Sequence, residues 1–216
     1  MPRSTRRPGR APVVAVLAAL ALVSRPAAAQ GFSIAPTIGL YIPTEEFYKA
    51  ATSGNAADLR KQEVSIAVGA RLAVKGKRLG LELAGDYAPS KLKFDLNGQQ
   101  SQEDANVLTG SARLTLFVIP ATSPLWLAVS GGAGVVHRSG TAYAALTDRT
   151  DLAPTAGAQV GFRLGRLVSL TVSADGYFYT PDFSASDTGT TTQIGQKDVH
   201  ISVGVSIPFL GLGAGM

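Results

Sequence analysis

The segment 198–209 constrains this chain most. Val199, Ile201, Val203, Val205, Ile207 and Phe209 alternate there with His200, Ser202, Gly204, Ser206 and Pro208. Successive strand side chains point to opposite faces, so the segment reads as a strand with one wholly apolar face and one small, polar face. Seven more segments keep the same period of two: 31–42, 63–74, 79–87, 107–118, 125–137, 152–164 and 168–179. Long polar segments (43–62, 88–106, 138–151 and 180–196) alternate with short turns (75–78, 120–124 and 165–166) between them. The pattern predicts an all-β fold, an eight-stranded antiparallel up-and-down transmembrane β-barrel.

The second face decides between membrane and water. A soluble, lipocalin-like barrel would turn its apolar face inward and wash a charged face outside. Here the polar faces carry few charges, namely Arg71, Glu82, Asp86, Arg113, Arg163 and Asp175, among many Gly, Ala, Ser and Thr. That is too little charge for eight water-washed strands, and it suits a crowded lumen with lipid on the apolar side.

The six charges are expected to form a lumenal network. Arg71 and Glu82 lie equidistant from the centre of the turn 75–78, which makes them cross-strand neighbours, and Asp86 and Arg113 hold the same relation across 88–106. A barrel of eight strands is only wide enough for side chains to fill, so the lumen is expected to be plugged. Within 88–106, Asn97-Gly98 marks a hairpin tip. The segment 43–62 is longer than a compact domain usually leaves without structure, which points to function or disorder.

Charge and cysteine usage exclude several classes. The 216 residues hold 20 Lys and Arg against 15 Asp and Glu, a net +5. Arg3, Arg6, Arg7, Arg10 and Arg25 account for the whole excess, so from residue 30 onward the chain is neutral. No basic surface for nucleic acid remains. Cysteine is absent, which excludes disulfides and thiolate metal sites. Residues 1–29 have arginines, an apolar run over 11–23 and Ala27-Ala28-Ala29 before Gln30, the three parts of a secretory signal. The run is too short to span a bilayer as a helix, which takes about 20 residues. The expected organisation is a signal peptide over 1–29 and a barrel domain over 30–216.

The end of the last strand resembles the assembly signal of bacterial outer-membrane barrels, carried by Ser202, Gly204, Ile207 and Phe209, with seven residues following Phe209. Together with strand count, loop alternation and leader, it makes the chain resemble the small eight-stranded outer-membrane barrels of the OmpA and OmpX type. That resemblance implies short turns toward the periplasm, long loops outside, and contact with outer-membrane lipid, lipopolysaccharide and the barrel-assembly machinery. Lys75, Lys77, Arg78 and Arg166 in the turns, against loops richer in acid than base, agree with this split. Tyr87, Phe178 and Tyr179 near the loops, and Phe117, Trp126, Phe162 and Phe209 near the turns, are candidates for two aromatic belts.

Catalysis has one candidate. Asp175, His200 and Ser202 share the polar face of the last two strands and resemble the His-x-Ser of outer-membrane lipid A deacylases, where a base activates the serine and an acid orients the base. They point into the lumen, away from any acyl chain, so a polar lumenal network is the preferred reading. His137 and His200 lack companions for a metal site, and no cofactor is expected. Glu45, Glu46, Asp148, Asp151, Asp182 and Asp187 read as solvated loop charge rather than a cation site. Gly131-Gly132-Ala133-Gly134 lacks the lysine and helix of a phosphate loop. The expectation is a non-enzymatic outer-membrane barrel acting through its loops on an unknown partner; the alternatives are a lipid-modifying enzyme using His200 and Ser202, or a narrow pore.

Overall fold

The computed structural model describes residues 31–44, 48–50, 58–96, 99–144, 149–165, 168–180 and 195–209. The leader expected over 1–29 lies outside them, as do Glu45, Glu46, Asp148, Asp182 and Asp187. In chain order the first strands are β1 (Gly31–Pro43), β2 (Tyr48–Ala50), β3 (Asp58–Gln62), β4 (Ser65–Lys75), β5 (Leu79–Ala88) and β6 (Lys91–Leu96). They are followed by β7 (Gln99–Asp104), β8 (Asn106–Ile119), β9 (Leu125–Ser139), β10 (Thr150–Arg163), β11 (Ser169–Tyr179) and β12 (Gln196–Phe209). A 3-10 turn, Thr141–Tyr143, follows β9.

Eight strands close into a barrel in the order β1-β12-β11-β10-β9-β8-β5-β4, every pair antiparallel. Strand β12 completes it, pairing with β1 from Phe32↔Phe209 to Pro43↔Asp198. Closure leaves no strand edge for lipid to meet, the condition a sheet must satisfy to cross a bilayer. The alternation sorts the side chains as expected. Ile66, Leu83, Leu114 and Val203 are exposed on the outside, while Thr37, Arg71, Thr115 and Ser202 are buried within. A band of exposed leucine, isoleucine and valine around a polar interior is stable only with hydrocarbon outside.

Two long segments build a second sheet rather than open loop. Strands β2, β3, β6 and β7 associate in that order beyond the barrel rim. The hairpin β6–β7 pairs Lys91↔Asp104 through Leu96↔Gln99, a register consistent with the expected tip at Asn97-Gly98, two residues that lie outside the described ones. The β5–β8 pair keeps the same register from Ala88↔Val107 to Leu79↔Leu116. The outer hairpin and the barrel pair beneath it therefore share one axis of symmetry.

That register corrects an expectation. Arg113 stands opposite Glu82, and Asp86 stands opposite Thr109. Arg71 faces Ala84 and Glu82 faces Ala73, so Arg71 and Glu82 are diagonal rather than direct neighbours. The aromatic belts need correction too. Tyr87, Phe162 and Phe178 face outward, but Phe117, Trp126 and Tyr179 are buried inside. Parity along β8, β9 and β11 puts these three on the lumenal face, where they fill space near the barrel ends. Strand β12 carries Phe209, whose side chain lies outside the described residues.

Candidate functional site

Four charged side chains from four strands meet at mid-lumen. Arg71 (β4) donates to Glu82 Oε1 at 3.2 Å and to Asp175 Oδ2 at 2.5 Å. Arg113 (β8) donates to the same Glu82 Oε1 at 2.6 Å and to Asp175 Oδ1. Each arginine thus bridges the same two carboxylates, and the ring ties β4, β5 and β8 to β11, several strands away around the barrel. Gln159 donates to the second Glu82 oxygen at 2.8 Å. All four charged residues are at most 5% exposed. Buried charges at such depth are tolerated only when paired and hydrogen-bonded, and this ring achieves both. Gly157 makes room for it, because a Cβ there would collide with the Asp175 carboxylate and approach Arg113 Nη1 to 3.0 Å.

Two of the six expected lumenal charges stand apart from the ring. Asp86 accepts from Thr37 Oγ1 at 3.3 Å, on the wall toward the loops. Arg163 is exposed at the turn end of β10 and donates to Thr122 O at 3.2 Å and Ala121 O at 2.8 Å, so it is no part of the network. As the last residue of its strand it reaches the neighbouring turn instead of the lumen centre.

The three candidate catalytic residues lie close but unconnected. Asp175 does face His200 across β11 and β12, and Ser173 faces Ser202. Yet the Asp175 carboxylate is occupied by the two arginines. Ser202 Oγ lies 2.8 Å from Ser173 Oγ and accepts from Arg71 at 3.2 Å. Both nitrogens of His200 lack a hydrogen-bond partner among the described residues. Its ring packs against Tyr41 and Tyr177, centroids 5.2 and 5.3 Å away. A serine is activated only by a base within hydrogen-bond reach, and no such contact links this pair.

Above His200 a second cluster closes the loop end, and sequence reasoning missed it. Tyr41 donates to Asp198 Oδ2 at 2.9 Å, and Tyr179 donates to the same oxygen. The Arg138 guanidinium lies 4.8 Å over the Tyr179 ring and donates to Asp151 at 2.5 Å. Gln62, at the end of β3, bonds Ala105 O at 2.9 Å and accepts from Tyr143 at 3.2 Å, while Leu92, Ala105 and Tyr143 form a small apolar core beside it. Burial pushes the Tyr143 phenol well above its ordinary pKa, so it stays a neutral donor. The rim of the barrel and the outer sheet are thereby joined through side chains. Parity already put Tyr41 and Tyr179 inside; Arg138 and Asp198 were hidden because they sit where strand gives way to loop.

The turn end is built differently. Phe117 and Trp126 stack edge to face, centroids 5.6 Å apart, as a buried aromatic floor. Gly161 lies flat against the indole, where any Cβ would collide with the ring. Lys75 sits 4.8 Å over the Trp126 ring and reaches Ser206 Oγ at 3.5 Å. On β12 itself Ser202 and Gly204 face inward and Ile207 outward to lipid. His137 Nδ1 lies 2.8 Å from Thr150 Oγ1 near the loop end of its strand. Among the described residues, no group of three or more His, Asp or Glu could hold a metal ion.

No family model matches the sequence, and no curated protein does. Solved structures do match the fold. The outer membrane protein OprG from Pseudomonas aeruginosa aligns over 85% of this chain and 97% of its own, with TM-score 0.63 at 9% identity. The outer membrane protein AlkL, solved in lipid bilayers, aligns over 89% and 99%, with TM-score 0.56 at 17% identity. Neisserial surface protein A aligns over 83% and 97%, with TM-score 0.51 at 10% identity. The chain therefore shares the closed eight-stranded barrel fold of small outer-membrane proteins.

Proposed function

We propose that this is a non-enzymatic resident of the bacterial outer membrane, with its lumen closed by side chains and its long loops facing outside. On this reading the sheet of β2, β3, β6 and β7 is the surface that meets an external partner. The observation that carries it is the contrast between an apolar outer band and a lumen crossed by the Arg71–Glu82–Arg113–Asp175 ring. The fold shared with OprG, AlkL and Neisserial surface protein A supports the location. The unconnected Asp175, His200 and Ser202 argue against acyl chemistry, since a nucleophile facing the lumen also has no path to a lipid chain.

The test combines place and chemistry. After cell fractionation the protein is expected with the outer membrane, migrating differently on a gel before and after boiling, and an epitope inserted between β6 and β7 is expected to be reached on intact cells. Lipid A mass spectra are expected to be identical with and without the protein. A Ser202-dependent loss of an acyl chain would make it an enzyme, and full solubility without detergent would remove it from the membrane.

A further inference from the structure

Charge is balanced in the middle of this barrel and unbalanced at its turn end. Lys75, Arg78 and Arg163 gather there, and none has a carboxylate partner among the described residues. Arg78 donates to Val118 O at 2.7 Å, Arg163 to the carbonyls of Ala121 and Thr122, and Lys75 rests on an indole face. Between Lys75 and Arg163 opens a cleft of about 250 Å³, lined also by Ser33, Ser169, Ser206 and Trp126 among others, with no acidic residue in its wall among the described residues. Glu82 is the nearest lumenal carboxylate on the strand beside Lys75, one layer deeper, and it is already held by two arginines and Gln159.

We propose that this turn-end mouth is a binding site for a phosphate-type oxyanion, supplied either by the headgroup of an anionic lipid in the adjoining leaflet or by soluble phosphate. A guanidinium, an ammonium and three serine hydroxyls are donors suited to a tetrahedral oxyanion, and ionised partners make the stronger hydrogen bonds. The volume is several times the roughly 30 Å³ that one water occupies in the liquid, enough for a phosphate group. The rigid aromatic floor fixes the ammonium over the cleft, since Trp126 is itself buried against Phe117. The proposal does not depend on the role assigned to the loops, which lie at the opposite end.

Trp126 is the only tryptophan in the chain, so its fluorescence reports on this cleft without a label. In neutral detergent micelles, inorganic phosphate is expected to change the emission saturably while chloride at equal ionic strength does not. Lys75→Gln and Arg163→Gln are each expected to weaken the apparent affinity about tenfold, the loss typical of one charge-assisted contact. Lys75→Arg is expected to keep binding within a few-fold. In nanodiscs, an emission already shifted by phosphatidylglycerol but not by phosphatidylcholine assigns the anion to lipid; a shift that still needs added phosphate assigns it to solution. Equal responses to phosphate and chloride, or unchanged phosphate affinity in variants that retain the boiling-dependent gel shift, overturn the proposal. The wild-type comparison decides even where a variant fails to fold.

Discussion

The middle of the lumen and its turn end hold the same kinds of cation and treat them oppositely. Arg71 and Arg113 are buried and each is locked between Glu82 and Asp175. Arg163 is exposed and Lys75 half-buried, and they rely on carbonyls, a hydroxyl and a ring. Depth explains the difference. Far from water a charge without an opposite charge costs several kcal/mol, whereas near the mouth solvent carries part of that load. The middle is therefore committed to structure, and the end remains free to engage an anion.

The largest effect is expected at the ring. Arg113→Ala leaves two buried carboxylates short of a partner and is expected to cost about 3–5 kcal/mol in urea unfolding from micelles. The double variant Glu82→Ala with Arg113→Ala is expected to cost less than the two single losses added, with coupling of about 0.5–3 kcal/mol. Additive losses would mean that water, not the partner, satisfies each charge. A smaller effect is expected from the aromatic floor. Gly161→Val drives a side chain into the indole, and overpacking of this kind costs about 1–3 kcal/mol, read by the loss of folded signal in circular dichroism.

The loop-end cap sharpens the contrast from the other side. Gln62→Ala removes the donor to Ala105 O and the acceptor for Tyr143, a loss of about 1–2 kcal/mol that should be local. Faster amide exchange is expected in β3 and β7, with β10 and β11 unchanged; exchange rising equally throughout would show that cap and barrel unfold as one unit. The smallest effect belongs to Arg163→Gln, expected within about 1 kcal/mol of wild type in the same urea experiment, because an exposed cation bonded to carbonyls adds little.

Most of the barrel was legible in the sequence, because a period of two leaves few alternatives once eight segments repeat it. Strand positions and inward parity follow from Val, Ile and Leu spacing alone, and the structure differs by a residue or two at most strand ends. Register was harder. Symmetry about Asn97-Gly98 aligns Glu82 with Arg113, whereas setting Arg113 opposite Asp86 needs a hairpin centred about two residues further along. An Asn-Gly pair is a strong sequence signal for a two-residue hairpin turn, and centring the hairpin on it gives the register seen in the flanking strands. What no strand pattern could supply is contact across the lumen. Arg113 and Asp175 are 62 residues apart and meet only because the sheet closes. The cap escaped for a related reason, since Gln62, Arg138 and Asp198 lie at strand ends, where apolar alternation fades.

Closure of the lumen by the Arg71–Glu82–Arg113–Asp175 ring is the proposal with the most direct test. Purified protein reconstituted into a planar bilayer tests this directly, with insertion verified by the boiling-dependent gel shift of the same preparation. The wild type is expected to give no steady current, and Glu82→Ala combined with Arg113→Ala is expected to raise the frequency of brief openings. Large, stable single-channel currents from the wild-type protein would contradict a closed lumen and make this barrel a pore.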